Sequence, residues 1–235
     1  MNLFYHPSIL PNDTSVSFDK DESRHIAKVL RKQIGDMLHV TDGKGHFYKV
    51  ELSSTHQKKC EAVVKKVEKQ EPLPYRLHMA VAPTKTNDRF ETFLEKATEI
   101  GITEITPILC DHSERTNVKP DRYERILVSA MKQSLKAYLP TLHPTMSFKD
   151  FLNQDLNASV KGIAHCEQGE KKKLKEIVSP VADVLLLVGP EGDFSSEEIQ
   201  LAQAKGFLPI TLGNTRLRTE TAAIVACHSI AFLNL

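Results

Sequence analysis

The sequence predicts an α/β fold in two parts: a small β-rich domain over residues 1–72, and a domain over residues 73–235 built on a parallel sheet with helices on both faces. Three observations predict it. Helix-like and strand-like stretches alternate in the second part but not in the first. Residues 184–188, Val-Leu-Leu-Leu-Val, form the continuous apolar run of a strand buried on both faces. Between the two textures lies Glu71-Pro72-Leu73-Pro74, where two prolines break any element that would cross.

In the first part a short helix is expected over 21–33. Ile26, Val29 and Leu30 share one face at helical spacing, and Arg24, Lys28, Arg31 and Lys32 fall largely on another. Strands follow at 37–41 and 47–52, joined by the hairpin chemistry of Asp42-Gly43-Lys44-Gly45. A third, at 61–67, is flanked by Lys58, Lys59, Lys65, Lys66 and Lys69. Packed together they make a small barrel with the helix pinned to one side.

In the second part strands are expected at 77–82, 102–109, 160–166, 184–188 and 207–212. The helix over 88–100 carries Phe90, Phe93, Leu94, Ala97 and Ile100 on one face, with Gly101 placed as its C-cap. A longer helix over 121–138 carries Ile126, Leu127, Ala130, Met131, Ser134, Leu135 and Tyr138 along one stripe, and Pro140 stops it. Ser195 and Glu198 have capping-box spacing and start another helix; the last runs over 221–233.

Composition narrows the function. With 40% hydrophobic and 26% charged residues the 235-residue chain reads as an ordinary soluble protein. No apolar run approaches the roughly 20 residues a membrane span needs. Met1-Asn2-Leu3-Phe4-Tyr5-His6-Pro7 lacks the basic-then-apolar pattern of a signal peptide, so a cytoplasmic location is expected. Cys60, Cys110, Cys166 and Cys227 are far apart and form no metal-type pair, and the ten histidines are scattered, so no metal is expected. A net charge of +1 does not announce a nucleic-acid binder, and the basic helix face is either solvated surface or an RNA contact.

Two strand-to-helix loops stand out. One is Gly189-Pro190-Glu191-Gly192-Asp193, after the 184–188 run; the other is Leu212-Gly213-Asn214-Thr215-Arg216-Leu217-Arg218-Thr219-Glu220, before the last helix. Ligands of open α/β sheets gather at such strand ends. Neither loop is a dinucleotide fingerprint or a Walker phosphate loop. Glu220 in a first helical turn also suits the helix dipole, and Glu191 is equally able to brace loop N–H groups.

GPEGDFS followed by LGNTRLRTETA resembles the SPOUT-class RNA methyltransferases, and most closely the ribosomal RNA small subunit methyltransferase E family, over nearly the whole chain. The resemblance implies a trefoil-knotted C-terminal domain that binds S-adenosylmethionine, an N-terminal PUA-like β-barrel that binds RNA, and a homodimer. Its implied substrate is a uridine of 16S rRNA in the small ribosomal subunit, methylated at N3. It assigns cofactor contact to Val188, Gly189, Pro190, Gly192, Leu212, Gly213, Asn214, Leu217 and Thr219, and RNA contact to Arg24, Lys28, Arg31, Lys32, Lys85, Arg89, Arg115 and Arg216. The sequence departs from the family at Asn2 and Leu3, where arginines are usual, at Lys132 and Lys136, and at Asp193, where a second glycine is usual. A non-glycine there is expected to hold ordinary φ values.

Methylating N3 removes a proton and builds negative charge on the uracil. Arg218 is the candidate to steady that charge, because its guanidinium stays protonated and donates to two acceptors. Glu191 or Glu220, with a pKa raised by burial, is the candidate base. Two other readings stay open: methylation of another RNA atom, such as a ribose 2′-OH or a tRNA base, and a non-catalytic RNA-binding or assembly protein of the same fold.

Overall fold

The computed structural model describes residues 2–235. The chain divides into two units, Met1–Pro72 with Val128–Leu139, and Leu73–Leu127 with Pro140–Leu235. The first is organised on a five-stranded sheet in the order β1 (Leu3–Tyr5), β3 (Met37–Thr41), β4 (His46–His56), β5 (Lys59–Lys69), β2 (Ser15–Ser17). β3, β4 and β5 form an antiparallel meander, with β1 parallel to β3 and β2 antiparallel to β5. Phe4, Phe18, Ile26, Leu38, Val40, Tyr48, Val50 and Leu52 fill its core.

The basic helix is shorter than its periodicity suggests. α1 spans Lys20–Arg24, capped by the Asp19 carboxylate, and continues as a π-helical turn over His25–Val29. Leu30 N–H reaches back to the His25 carbonyl, five residues away. That wider turn carries Val29 off the face of Ile26, leaving Val29 66% exposed while Ile26 is fully buried. Arg31 has left the helix with φ of 53°.

Residues 128–139 join the first unit for a comparable reason. α3 (Pro120–Gln133) ends five residues before the 138 expected: Lys136 N–H bonds to Met131 C=O and Leu135 N–H to Lys132 C=O, with Leu135 at φ 55°. This is a Schellman turn with leucine where glycine is usual. The chain then runs extended along the hairpin: Gly45 N–H donates to Ala137 C=O, Leu139 N–H to Gly43 C=O, and Thr41 Oγ1 to Ala137 C=O. Gly45 sits at φ 110°, and a Cβ there would lie 2.5 Å from the Tyr138 ring.

The second unit holds an eight-stranded sheet whose pairings are all parallel. Its order is β11 (Lys172–Lys173), β13 (Leu208–Thr211), β10 (Val160–Ala164), β12 (Asp183–Val188), β6 (Arg76–Val81), β7 (Glu104–Leu109), β8 (Thr141–Leu142), with β9 (Met146–Ser147) also paired to β7. Strand side chains alternate between faces. Ala80, Ala82, Leu185 and Leu187 pack with Phe148, Phe151, Ile199 and Ala202 from α4 (Phe148–Leu152) and α6 (Ser196–Ala204). α2 (Asn87–Ile100) packs on α7 (Thr219–Phe232), and α7 packs on β6 and β12. Both faces are therefore covered. α5 (Leu174–Ile177) also contacts α7. Gly101 ends α2 at φ 136°, as its position implied.

Candidate active site

The two loops singled out in the sequence follow β12 and β13 and meet at the carboxyl edge of the sheet. Their contact is one buried hydrogen bond: the Thr219 hydroxyl donates to the Gly189 carbonyl at 3.0 Å. Around it lie two adjoining hollows of about 300 and 410 Å³, within the size range of small-molecule sites. Val188, Gly189, Pro190, Glu191, Arg218 and Thr219 line the first; Leu212, Gly213 and Asn214 line the second; Arg216 and Leu217 line both.

The loop after β12 is braced from three sides. Asp193 N–H donates to Pro190 C=O at 3.0 Å, closing a tight turn. Asp193 takes φ of 65°, contrary to the ordinary φ expected of a non-glycine there. Aspartate tolerates this region because its short side chain bonds locally. Its carboxylate accepts from Phe194 N–H at 2.9 Å and from Cys166 N–H at 2.6 Å, tying the loop to the end of β10. Ser195 and Glu198 form the expected capping box. Glu198 is 2% exposed and also accepts from Asp111 N–H at 3.0 Å. Burial raises its pKa, against the pull of the backbone N–H groups of Ser195 and Asp111. His112 Nδ1 lies 3.1 Å from the carbonyls of both Gly192 and Asp193. Gly192 therefore packs on His112 and lines neither hollow.

The loop before α7 is less tied. Gly213 sits at φ 138°, held by Thr211 Oγ1 against its N–H and C=O. Among the described residues, the backbone of residues 214–217 makes no main-chain hydrogen bond. Its N–H and C=O groups are thus free for a ligand with edge donors and acceptors.

The charged candidates divide. Arg216 and Arg218 are exposed at the hollow, Arg218 being the N-cap residue of α7. Glu191 lines it with one oxygen, Oε1, accepting from Lys85 N–H at 3.0 Å. Glu220 does not line it; its Oε1 lies 4.0 Å from Arg89 Nε, and its buried Oε2 has no partner among the described residues. Arg115 donates to the Thr84 and Lys85 carbonyls at 2.7–3.2 Å, so its fork braces the loop after β6. Lys85 Nζ pairs with Glu114 at 2.7 Å. In the other unit Arg24, Lys28 and Arg31 are exposed, and Lys32 lies 4.0 Å from Asp36.

Sequence reasoning missed the residues that β10 contributes: Ala164, His165 and Cys166, with Lys171 beyond them. The signal was available, since the predicted strand over 160–166 ends at the edge where ligands gather. His165 leaves both ring nitrogens buried without a partner among the described residues, and burial together with the Lys171 charge lowers its pKa. A neutral imidazole with unmet hydrogen-bonding capacity beside a hollow suits a polar ligand.

The likenesses to known proteins agree with this geometry. The RNA methyltransferase domain family matches residues 71–231, and the RNA methyltransferase PUA domain family matches residues 18–65. The chain is similar to the ribosomal RNA small subunit methyltransferase E of Synechocystis, at 30% identity over 93% of this chain and 73% of that protein. Among solved structures it is similar to a probable rRNA-methyltransferase from Porphyromonas gingivalis, with TM-score 0.92 and 41% identity over 100% of this chain and 98% of that one. It is also similar to a ribosomal RNA small subunit methyltransferase E from Neisseria gonorrhoeae bound to S-adenosyl methionine, with TM-score 0.87 and 28% identity over 100% and 98% of the two chains.

Proposed function

The chain belongs to the ribosomal RNA small subunit methyltransferase E family, and on that premise we propose that it methylates N3 of a uridine in 16S rRNA with S-adenosylmethionine. The observation that carries this reading is the joining of the two strand-end loops by Thr219 and Gly189 around a hollow with exposed arginines and the carboxylates of Glu191 and Asp193. The cofactor, when bound, supplies a methyl group activated by a positively charged sulfur. The residues fit it: unbonded backbone groups of 214–217 suit an adenine edge, Val188 and Leu217 suit its faces, and His165 offers two unmet nitrogens.

In this reading the N3–carbon bond forms as the sulfur–carbon bond breaks, and the N3 proton leaves to a carboxylate. Glu191 takes that proton: Glu220 does not line the hollow, and the Asp193 carboxylate, which does, already accepts from the Phe194 and Cys166 N–H groups. Glu220 positions Arg89 instead. Arg218 donates to the uracil oxygen on which charge builds, at a helix N-terminus that itself favours negative charge. Holding donor and acceptor in line supplies much of the rate.

Arg24, Lys28, Arg31 and Lys32 contact RNA phosphates without reading sequence, and Lys85 and Arg216 do so near the reacting base. A homodimer would cover the exposed Phe232 and Leu235 at the end of α7. The knotted chain path and a cytoplasmic location belong to the same reading; among the described residues no helix is long and apolar enough to cross a membrane. Asp193 supports turnover over a non-catalytic scaffold, since it holds the glycine-like backbone conformation and adds a brace.

Calorimetric titration with S-adenosylmethionine, and 16S rRNA from a strain lacking the gene, test this. A methyl at N3 blocks base pairing, so reverse transcription stops there in the parent strain and reads through in the deletion. A stop that persists in the deletion overturns the assignment.

A further inference from the structure

At the opposite edge of the same sheet, where the parallel strands begin, lies a second cluster unrelated to the methyl-transfer reading. β6, β7 and β8 pair so that His78 stands opposite Glu104, and Glu104 opposite Thr141, two residues before His143. His143 N–H bonds to the Ile105 carbonyl at 2.8 Å, fixing its backbone against β7. The His78 and His143 rings are 5.1 Å apart between centroids. One ring nitrogen from each and one Glu104 oxygen lie within 4.8 Å of one another. They open on a hollow of about 270 Å³ that Asp155 and Asp183 also line.

We propose that His78, Glu104 and His143 form a binding site for a divalent transition-metal ion of the zinc type, which ties the starts of β6 and β7 to the segment after β8.

The donor set suits such an ion: two imidazoles and a carboxylate leave a fourth position for water or a nearby aspartate. The spacing suits it too. Four-coordinate zinc with bonds of about 2.0–2.2 Å places its ligand atoms roughly 3.3 Å apart. His143 Nε2 and Glu104 Oε2 are 2.8 Å apart, and the group as a whole spans 4.8 Å, so modest side-chain adjustment reaches that geometry.

The surroundings orient the ligands. His78 Nε2 lies 2.7 Å from Thr106 Oγ1, leaving Nδ1 for the ion and fixing the ring as outer-shell partners of metal-bound histidines do. Arg76 takes the other Glu104 oxygen and also bonds Asp183 at 3.2 Å. Around the hollow the carboxylates of Glu104, Asp155 and Asp183 outnumber the Arg76 guanidinium, which favours a cation.

The test uses the full chain, stripped with a chelator and dialysed, then titrated with Zn²⁺ by calorimetry and with Co²⁺ by visible absorption. One ion per chain is expected, with the strong ligand-field bands of four-coordinate Co²⁺. The midpoint of thermal unfolding should rise by about 5–10 °C at a zinc concentration roughly a hundred times Kd. His143→Gln removes a ligand whose side chain is already 34% exposed, so the fold tolerates it; its zinc affinity should fall more than about 100-fold. Glu104→Gln should do likewise. Failure of the stripped protein to take up either ion overturns the proposal, as does uptake unchanged in both variants, which would place the ion at a cysteine or elsewhere. S-adenosylmethionine titration of the same samples keeps the two readings separable, because neither result depends on the other.

Discussion

Thr219→Val tests whether the two loops form one site. Valine keeps the shape and the β-branching that suit the first turn of α7 but removes the hydroxyl that reaches Gly189. Thr219 is 6% exposed and the Gly189 carbonyl is buried, so the lost partner is not replaced by water. Leaving a buried acceptor unmet costs about 1–3 kcal/mol. For a chain of this length that lowers the thermal midpoint by about 2–12 °C. If the bond also holds the loops in the cofactor-binding arrangement, the same energy appears in affinity as a 5- to 150-fold rise in Kd, on the order of one decade per 1.4 kcal/mol. Calorimetry with S-adenosylmethionine reads the second quantity and differential scanning calorimetry the first. Thr219→Ser, which keeps the donor, should stay close to the parent in both. A Thr219→Val protein that melts earlier but binds the cofactor as tightly as the parent would refute the reasoning, since the clasp would then be support for the fold alone.

Glu191→Gln keeps an oxygen to accept from Lys85 N–H while losing proton affinity; single-turnover methylation should fall about 10²- to 10⁴-fold with cofactor affinity unchanged, whereas an equal fall in Glu220→Gln alone would move the base to Glu220. Asp42 accepts from Lys44 N–H, His46 N–H and the His46 ring at 2.7–3.0 Å, and although burial alone would raise its pKa these bonds hold it below the usual 3.8. Its contribution to stability is therefore present above pH 3.8 and lost as pH falls through the lower folded value; Asp42→Ala should cost about 2–4 kcal/mol at neutral pH and flatten the acid limb of a urea-midpoint profile. Leu135→Gly removes a side chain held at φ 55° and 41% exposed, so stability should rise by about 0.5–1 kcal/mol; a lower urea midpoint would mean that the leucine contacts outweigh the strain.

What the sequence makes legible follows from the range of the forces involved. The Ser195–Glu198 box and the Gly101 cap are local devices, closed by residues within one turn, and both stand where the residue pattern puts them. The apolar run before Gly189 announces a buried strand because burial on both faces leaves no room for alternation. The misreadings also begin locally, but the residue types conceal them. Leu135 ends α3 in a conformation glycine usually supplies, and nothing in Ser-Leu-Lys signals it. The π-helical turn at His25–Val29 keeps helical spacing in sequence while rotating Val29 into solvent. Asp193 reads as a misfit for a glycine until its carboxylate is seen to meet Cys166 N–H, which no spacing along the chain encodes. Contacts across strands are harder still. Arg115 looks like a phosphate ligand from its position, yet its Nε and Nη2 donate to two backbone carbonyls thirty or so residues away. The histidines read as scattered in the chain, and it is strand pairing, not sequence spacing, that brings His78 and His143 to Glu104, where a metal is proposed. A parallel sheet sets side by side residues that a whole helical crossover separates in the chain, so in this fold the sites are written in register, and register is what a single sequence shows least.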